Sequence, residues 1–302
     1  MAEGMRVVIT GANSAVGRAV ARAAATWPTP IVVVAGVRSE RAAGELQAVK
    51  DHVHETARIA YDDPGSLQAA FRGASAVVHL AGVLAERPGS SYQQANVDTT
   101  RAVVDAAKPC GVRMIVYVSA IGADPASPNR YRRTKGEAET LVRQSGLGYA
   151  ILRAPLLLGP GTEATATLKR HLRAGKATMI GGGRNLQQPL DVGDLARAAL
   201  VASHGLAARD RTLDLVGPVA LAEREILERA ARLAGRTVTV RSVPKGLVSV
   251  MLALREWSGQ RGFSRDALDV ITADTRLDPA PAAAALGLQL TGLDEMLQRS
   301  MG

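Results

Sequence analysis

The chain has 302 residues, 47% hydrophobic and 22% charged, a length and balance that suit a closed α/β core with a smaller accessory lobe and exclude long disorder. Its formal charge is +9, yet the basic residues are mostly arginine and spread along the chain, and aromatics are only 3%, which leaves no base-stacking surface for nucleic acid. A single cysteine, Cys110, excludes an intrachain disulfide, and the longest apolar run, Gly246 to Leu254, is too short to span a bilayer and reads as a buried helix.

The first 150 residues alternate. A strand over Arg6–Thr10 precedes a helix over Val16–Thr26. A strand over Ile31–Ala35 precedes a helix over Glu40–Val49. Further pairs follow: a strand near Ala57–Tyr61 with a helix from Gly65 to Phe71, a strand at Ala76–Leu80 with a long helix over Tyr92–Ala107, and a strand at Met114–Ser119 with a helix over Arg132–Gln144. A strand at Tyr149–Arg153 closes the set. Strands alternating with helices predict a doubly wound parallel sheet of the Rossmann type.

After Arg153 the pattern loosens. Ala154–Gly161 reads as a loop, a helix recurs at Ala196–Ala202, and Thr212–Val216 reads as a strand rejoining the sheet. The remainder holds helices over Ala222–Leu233 and Leu247–Trp257, a strand at Thr237–Val243 and a docking helix within Leu288–Met301. The expected division is residues 1–155 with 189–216 as the dinucleotide domain, and 156–188 with 217–302 as a substrate lobe.

The segment Thr10–Arg18 reads TGANSAVGR and falls between the first strand and the first helix, where a dinucleotide fingerprint has to sit. Gly11 takes the tight turn, Gly17 allows close helix–sheet packing, and Asn13, Ser14, Ala15 and Val16 offer backbone N–H groups at a helix N-terminus to a pyrophosphate. Ser14 replaces the middle glycine. After the second strand, where an acidic residue would bind a ribose 2′-hydroxyl, the chain has Arg38 and Ser39. A guanidinium there favours a 2′-phosphate, so the expected cofactor is NADP(H).

Tyr131 and Lys135 form Y-x-x-x-K, which puts both side chains on one face of a helix. An ammonium beside a phenol favours the phenolate, so the pair is expected to lower the Tyr131 pKa and pass a proton to or from a carbonyl oxygen. Ser119 ends the fifth strand, at the sheet edge where ligands bind, and is a candidate to hold that carbonyl.

With these residues in view, the sequence resembles the short-chain dehydrogenase/reductase superfamily. The resemblance is carried by TGANSAVG, HLAG (79–82), YVSAIGADPASPNRYRRTKGEAE, LRAPLLLGPG and PLDVGDLARA, in the expected order over most of the chain. It is greatest to the extended and atypical branches, which include relatives of the NAD(P)H-binding accessory subunit of respiratory complex I and epimerase-like reductases. The resemblance implies that Leu80, Ala81 and Gly82 line the adenine ribose, that Ser119, Tyr131 and Lys135 form the catalytic triad, and that residues from Pro155 to Leu157 pack on the nicotinamide amide. Two departures stand out. The adenine-binding Asp of the family falls on Ala60, and the Asn that epimerases carry is replaced by the apolar run 154–158, which argues for a hydrophobic substrate. Asp194 and Glu139 match recurrent family positions and read as structural, a helix cap or an ion pair.

The function expected is NADPH-dependent reduction of a carbonyl in a hydrophobic small molecule such as a secondary metabolite, in a cytoplasmic monomer or homodimer without metal, nucleic-acid or membrane partners. A nucleotide-sugar epimerase or dehydratase, and a non-catalytic NADP(H)-binding redox sensor or assembly protein, remain open as alternatives.

Overall fold

The structure, a computed structural model, describes residues 4–86, 89–205, 208–258 and 262–301. In chain order the first half contains β1 (Met5–Thr10), α1 (Ala15–Ala25), β2 (Ile31–Val37), α2 (Glu40–Gly44), β3 (Glu55–Arg58), α3 (Pro64–Phe71), β4 (Ala76–His79), α4 (Thr99–Ala107), β5 (Met114–Ala120), α5 (Arg130–Arg143) and β6 (Gly148–Ala154). The second half contains β7 (Leu157–Leu158), α6 (Glu163–Ala174), β8 (Lys176–Ile180), β9 (Leu186–Gln187), β10 (Leu190–Asp191), α7 (Val192–Ser203), β11 (Arg211–Asp214), β12 (Leu221–Ala222), α8 (Glu223–Leu233), β13 (Thr239–Val243), α9 (Lys245–Trp257), α10 (Arg265–Ile271), α11 (Ala280–Leu286) and α12 (Leu293–Met301).

Seven parallel strands form one sheet in the order β3-β2-β1-β4-β5-β6-β11, the doubly wound arrangement expected from the alternating pattern. The order reverses between β1 and β4, which leaves a crevice at their carboxyl ends. Side-chain alternation along β1 serves both faces: Val7 and Ile9 pack with α1 and α7, while Val8 packs with Leu67, Phe71 and Val103 of α3 and α4. The helices start on side-chain caps that the sequence supplies: Ser14, Ser39, Asp63, Asn129, Thr162, Asp191 and Ser264 each accept a backbone N–H of the first turn.

A third core, built from Leu158, Leu168, Leu172, Met179, Ile226, Leu227, Met296 and Leu297, binds α6, α8 and α12 around the paired strands β8 and β13. Ala282 and Leu286 of α11 pack instead in the core of the large sheet, beside α7.

Four local expectations differ from the structure. The helix expected over 40–49 ends at Gly44 and continues only as a 3-10 segment, Gln47–His52. The long helix from Tyr92 opens with a π-helical segment, Gln93–Asp98, before α4 begins. The helices α6, α10 and α11 and the strand β8 stand where no element was expected. Finally, Gly246–Leu254 is helical but not buried: Leu252 is the only buried residue of α9, and its apolar stripe faces outward.

Candidate active site

The β1–α1 connection closes on itself through Ser14 N–H to the Gly11 carbonyl, 3.0 Å, and Gly17 N–H to the Ser14 hydroxyl, 3.0 Å. Gly11 has φ of +73°, a left-handed conformation that suits glycine. A Cβ on Gly17 would lie 2.5 Å from the Ala12 carbonyl oxygen, so the loop is shaped for the absence of a side chain. A Cβ on Gly11 would lie 3.5 Å from the Ala81 nitrogen, which puts the β1 and β4 ends against each other. These residues fit a dinucleotide diphosphate: a glycine cradle at the N-terminus of an eleven-residue helix, with the crevice directly beside it.

Asn13, Ala15 and Val16 are partly exposed on the same turn, and the Asn13 amide donates to Glu45 at 2.9 Å. Arg18, which sequence reasoning passed over, donates to the Asn13 carbonyl and brings a positive charge to the loop. Arg38 and Ser39 follow β2 directly and are exposed; the Ser39 hydroxyl caps α2 by accepting from Ala42 at 3.2 Å. We expect Gly17→Ala to displace Ala12 and weaken NADPH binding at least about tenfold in a fluorescence titration, with unchanged far-UV circular dichroism. Undiminished binding would show that the diphosphate lies elsewhere.

Across the crevice, α5 presents Tyr131 and Lys135. The buried Lys135 ammonium donates to the Val118 carbonyl at 2.9 Å and sits 4.3 Å from the centre of the Tyr117 ring. It also underlies Gly82, whose absent Cβ would come within 3.7 Å of Nζ. The HLAG segment and the Y-x-x-x-K helix therefore meet at Gly82 and Lys135. Pro155 follows β6 and is partly exposed, and the next carbonyl, that of Leu156, accepts from Leu190 at 2.9 Å.

Burial decides the titration of the pair. Lys135 is pulled down to about 7, with Glu139 opposing the shift. Tyr131 is pushed up to about 12 by burial, with a smaller contribution from Tyr92. The sequence expectation that Lys135 lowers the Tyr131 pKa is thus reversed: burial of the phenol and the neighbouring Tyr92 both push it up, so Tyr131 stays a proton donor over the physiological range.

Ser119 is placed differently from its expectation. Its hydroxyl donates to Glu139 Oε1 at 2.7 Å within the buried layer between β5 and α5. A serine has one hydroxyl proton, and here it goes to a carboxylate rather than to a carbonyl ligand. Glu139 also accepts Arg153 Nε at 2.8 Å, Arg153 Nη2 at 2.7 Å and Arg143 Nη1 at 3.1 Å. Asp194 is likewise structural, pairing with Arg197 and accepting the Thr291 N–H at 2.7 Å.

Two side chains in the site were not foreseen. Asn96, fully buried on the π-helical segment, accepts Val83 N–H at 3.1 Å and donates to Thr134 at 3.0 Å, which ties the loop after β4 to α5. His79 ends β4 in contact with Thr10 (2.7 Å) and Thr100 (3.1 Å). Because the Thr100 hydroxyl donates to the Asn96 carbonyl at 2.6 Å, His79 Nε2 carries the proton and Nδ1 accepts from Thr10. Burial pulls His79 down to about 3, so it is neutral and acts as a fixed spacer behind Lys135. The π turn that aims Asn96 inward leaves no composition signal.

Comparison with known proteins agrees with this geometry. Residues 11–180 match the NAD(P)H-binding family. A ceramide reductase of Caulobacter vibrioides is 30% identical over 172 residues, 54% of this chain and 49% of that protein. A (4-alkanoyl-5-oxo-2,5-dihydrofuran-3-yl)methyl phosphate reductase of Streptomyces griseus is 29% identical over 234 residues, 76% of this chain and 74% of that one. The first curated relatives are matched over only 49%, 65% and 30% of their own length. In fold, the chain superposes on an NADPH-dependent quinone oxidoreductase of Escherichia coli with a TM-score of 0.73 at 22% identity, covering 98% of this chain and 100% of that one. It superposes on a UDP-glucuronic acid 4-epimerase of Bacillus cereus with a TM-score of 0.76 at 16% identity, covering 98% and 99%. The glycine cradle, the crevice and the matched span agree: this chain belongs to the NAD(P)H-binding family, on a Rossmann-type fold.

Proposed function

We propose that the chain is an NADP(H)-dependent ketoreductase acting on a hydrophobic small molecule. The observation that carries this reading is Tyr131 and Lys135 on one face of α5, with Lys135 anchored on the Val118 carbonyl beneath Gly82. The Gly11–Gly17 loop would hold the dinucleotide, which would supply a hydride equivalent when bound. Tyr131 donates its phenolic proton to the substrate oxygen. Lys135 stabilises the phenolate left behind and returns a proton to it, while Asn96 and Thr134 hold α5 against the loop after β4. Arg38 and Arg18 supply positive charge for a phosphorylated dinucleotide, which supports NADP(H) over NAD. The partly exposed apolar side chains of 155–157 give the acceptor side of the site little to offer a sugar nucleotide.

The test is NADPH oxidation against a panel of ketones and quinones of graded hydrophobicity. Turnover that improves with apolar bulk supports the reading. NAD retained through purification with no net turnover would replace it with an epimerase, and NADPH binding without turnover on any carbonyl would replace it with a binding protein.

The pH profile follows from Lys135. A lysine lowered from 10.5 to about 7 is an ammonium below that pH and neutral above it. We expect kcat/KM for reduction to be highest on the acid side and to fall about tenfold per unit as pH rises past 7. Lys135→Met gives a low, flat profile. A wild-type profile flat to pH 9 would remove the ammonium from the mechanism.

A further inference from the structure

The outward stripe of α9 is the largest unsatisfied feature among the described residues. Leu247, Val250, Met251, Leu254 and Trp257 recur at i, i+3, i+4, i+7 and i+10, which places them on one helical face, and they are 59–88% exposed. The opposite face, with Leu252 at its centre, holds α9 to the protein. The other large apolar side chains exposed in the structure reach only 36–41% and do not recur along one helix. A soluble surface rarely carries five contiguous large apolar side chains without an occupant.

Charge identifies the occupant. The described residues of 236–265 include five basic side chains, Arg236, Arg241, Lys245, Arg255 and Arg265, of which Lys245 and Arg265 are paired with carboxylates, against the single carboxylate of Glu256. Adding the α10 carboxylates Asp266 and Asp269 leaves the region positive. A second copy of this chain would bring the same sign of charge to the same face. An anionic lipid surface complements both features, apolar side chains for the acyl boundary and Lys/Arg for the headgroups, and Trp257 is of the type enriched at that boundary.

We propose that α9 is an interfacial helix that lays its apolar stripe on an anionic lipid bilayer beside the mouth of the Tyr131 site. The helix is rigidly joined to that site. Two ion pairs, Lys245–Asp269 at 2.9 Å and Arg265–Glu256 at 2.9 Å, fasten α9 to α10 and to the residues that open it. The start of α10 then meets the active-site wall: Ser264 lies 3.0 Å from the Tyr92 hydroxyl, the Asn129 amide donates to the Asp266 carbonyl at 2.9 Å, and Tyr92 stacks edge-on against Tyr131 with ring centres 5.9 Å apart. A docked α9 would place a lipid-soluble carbonyl next to its proton donor; this last consequence rests on the proposed function, whereas the docking does not. The sequence expectation of no membrane partner rested on spanning length. Among the described residues no helix is long and apolar enough to cross a membrane, which has no bearing on a helix lying along one.

The experiment uses the full chain, without substrate, and vesicles of phosphatidylcholine alone or mixed with phosphatidylglycerol. Sedimentation with the anionic vesicles is expected to exceed that with neutral ones and to weaken with salt. In a Trp27→Phe background, Trp257 emission shifts to the blue on binding. Leu254→Ser with Val250→Ser weakens vesicle binding at least about tenfold and leaves NADPH affinity unchanged, the latter showing that the fold is intact. Three results would overturn the proposal: no sedimentation with anionic vesicles, equal binding to both compositions, or a concentration-dependent dimer lost in the serine variant while vesicles stay unbound. Turnover of a water-soluble ketone, measured separately, tests the ketoreductase reading alone.

Discussion

Tyr131→Phe is expected to lower kcat for carbonyl reduction by about 10²–10⁴-fold while leaving NADPH affinity within about twofold. The ring keeps its edge-on packing with Tyr92, at 5.9 Å, so only the proton donor is lost and stability should change by less than about 0.5 kcal/mol. Neighbouring phenols are poor substitutes. Tyr92 donates to the Leu84 carbonyl at 2.8 Å, and Tyr117 is fully buried in β5 behind the Lys135 ammonium. Steady-state kinetics with stopped-flow cofactor binding separates the two effects. A Phe variant with wild-type kcat would mean that the proton comes from elsewhere and that the Y-x-x-x-K face is structural.

The reading of the fold from sequence worked where burial is two-sided. Strands β1, β2, β4 and β5 are nearly continuous Val/Ile runs because helices cover both faces, and their order follows from right-handed crossovers. It failed where tertiary contacts override local preference. Helix α6 is threonine-rich in its first turns and has low intrinsic helicity; Thr162 caps it, and Leu168 and Leu172 fix it in the third core. In α9, the spacing of the apolar residues reports a face but not which way it points. Leu252, not the longer stripe, found the protein interior.

The site divides in the same way. The glycine loop and Y-x-x-x-K were legible as local spacings with a fixed place in a βα unit, whereas HLAG entered through the family resemblance. Asn96 was not legible, because it enters through a π turn, and that is a backbone event. The Tyr131 shift was misjudged because a sequence shows the charge of Lys135 but not the desolvation around both groups. Ser119 was misjudged because a strand end offers its hydroxyl to one face or the other. Register settles the face, and Ser119 pairs with Arg153, the residue that grips Glu139.

Paired substitutions at Ser119 and Glu139 should then behave in opposite ways to a catalytic serine and a spectator carboxylate. Glu139→Ala removes the only carboxylate among the described residues within 3 Å of the Arg153 guanidinium, leaving Asp214 at 3.7 Å and half-exposed. The bonds Arg153 donates to Glu139 raise its pKa further, but a guanidinium is charged at neutral pH without any partner, so the charge persists when the carboxylate is gone. Stripping one member from a buried pair costs about 3–5 kcal/mol, and with further loss at Arg143 and Ser119 we expect Tm to fall by about 10 °C. Ser119→Ala removes one of four donors to the carboxylate and should cost about 1 kcal/mol, with kcat/KM within about threefold of wild type. Glu139→Ala should also depress kcat more than KM. The network locks α5 to the end of β5, and that strand end carries the Val118 carbonyl on which Lys135 rests. Thermal melts and kinetics on both variants decide between the roles. A Ser119→Ala enzyme that melts normally but loses about a hundredfold in kcat would return that hydroxyl to the carbonyl site and detach it from Glu139 during turnover.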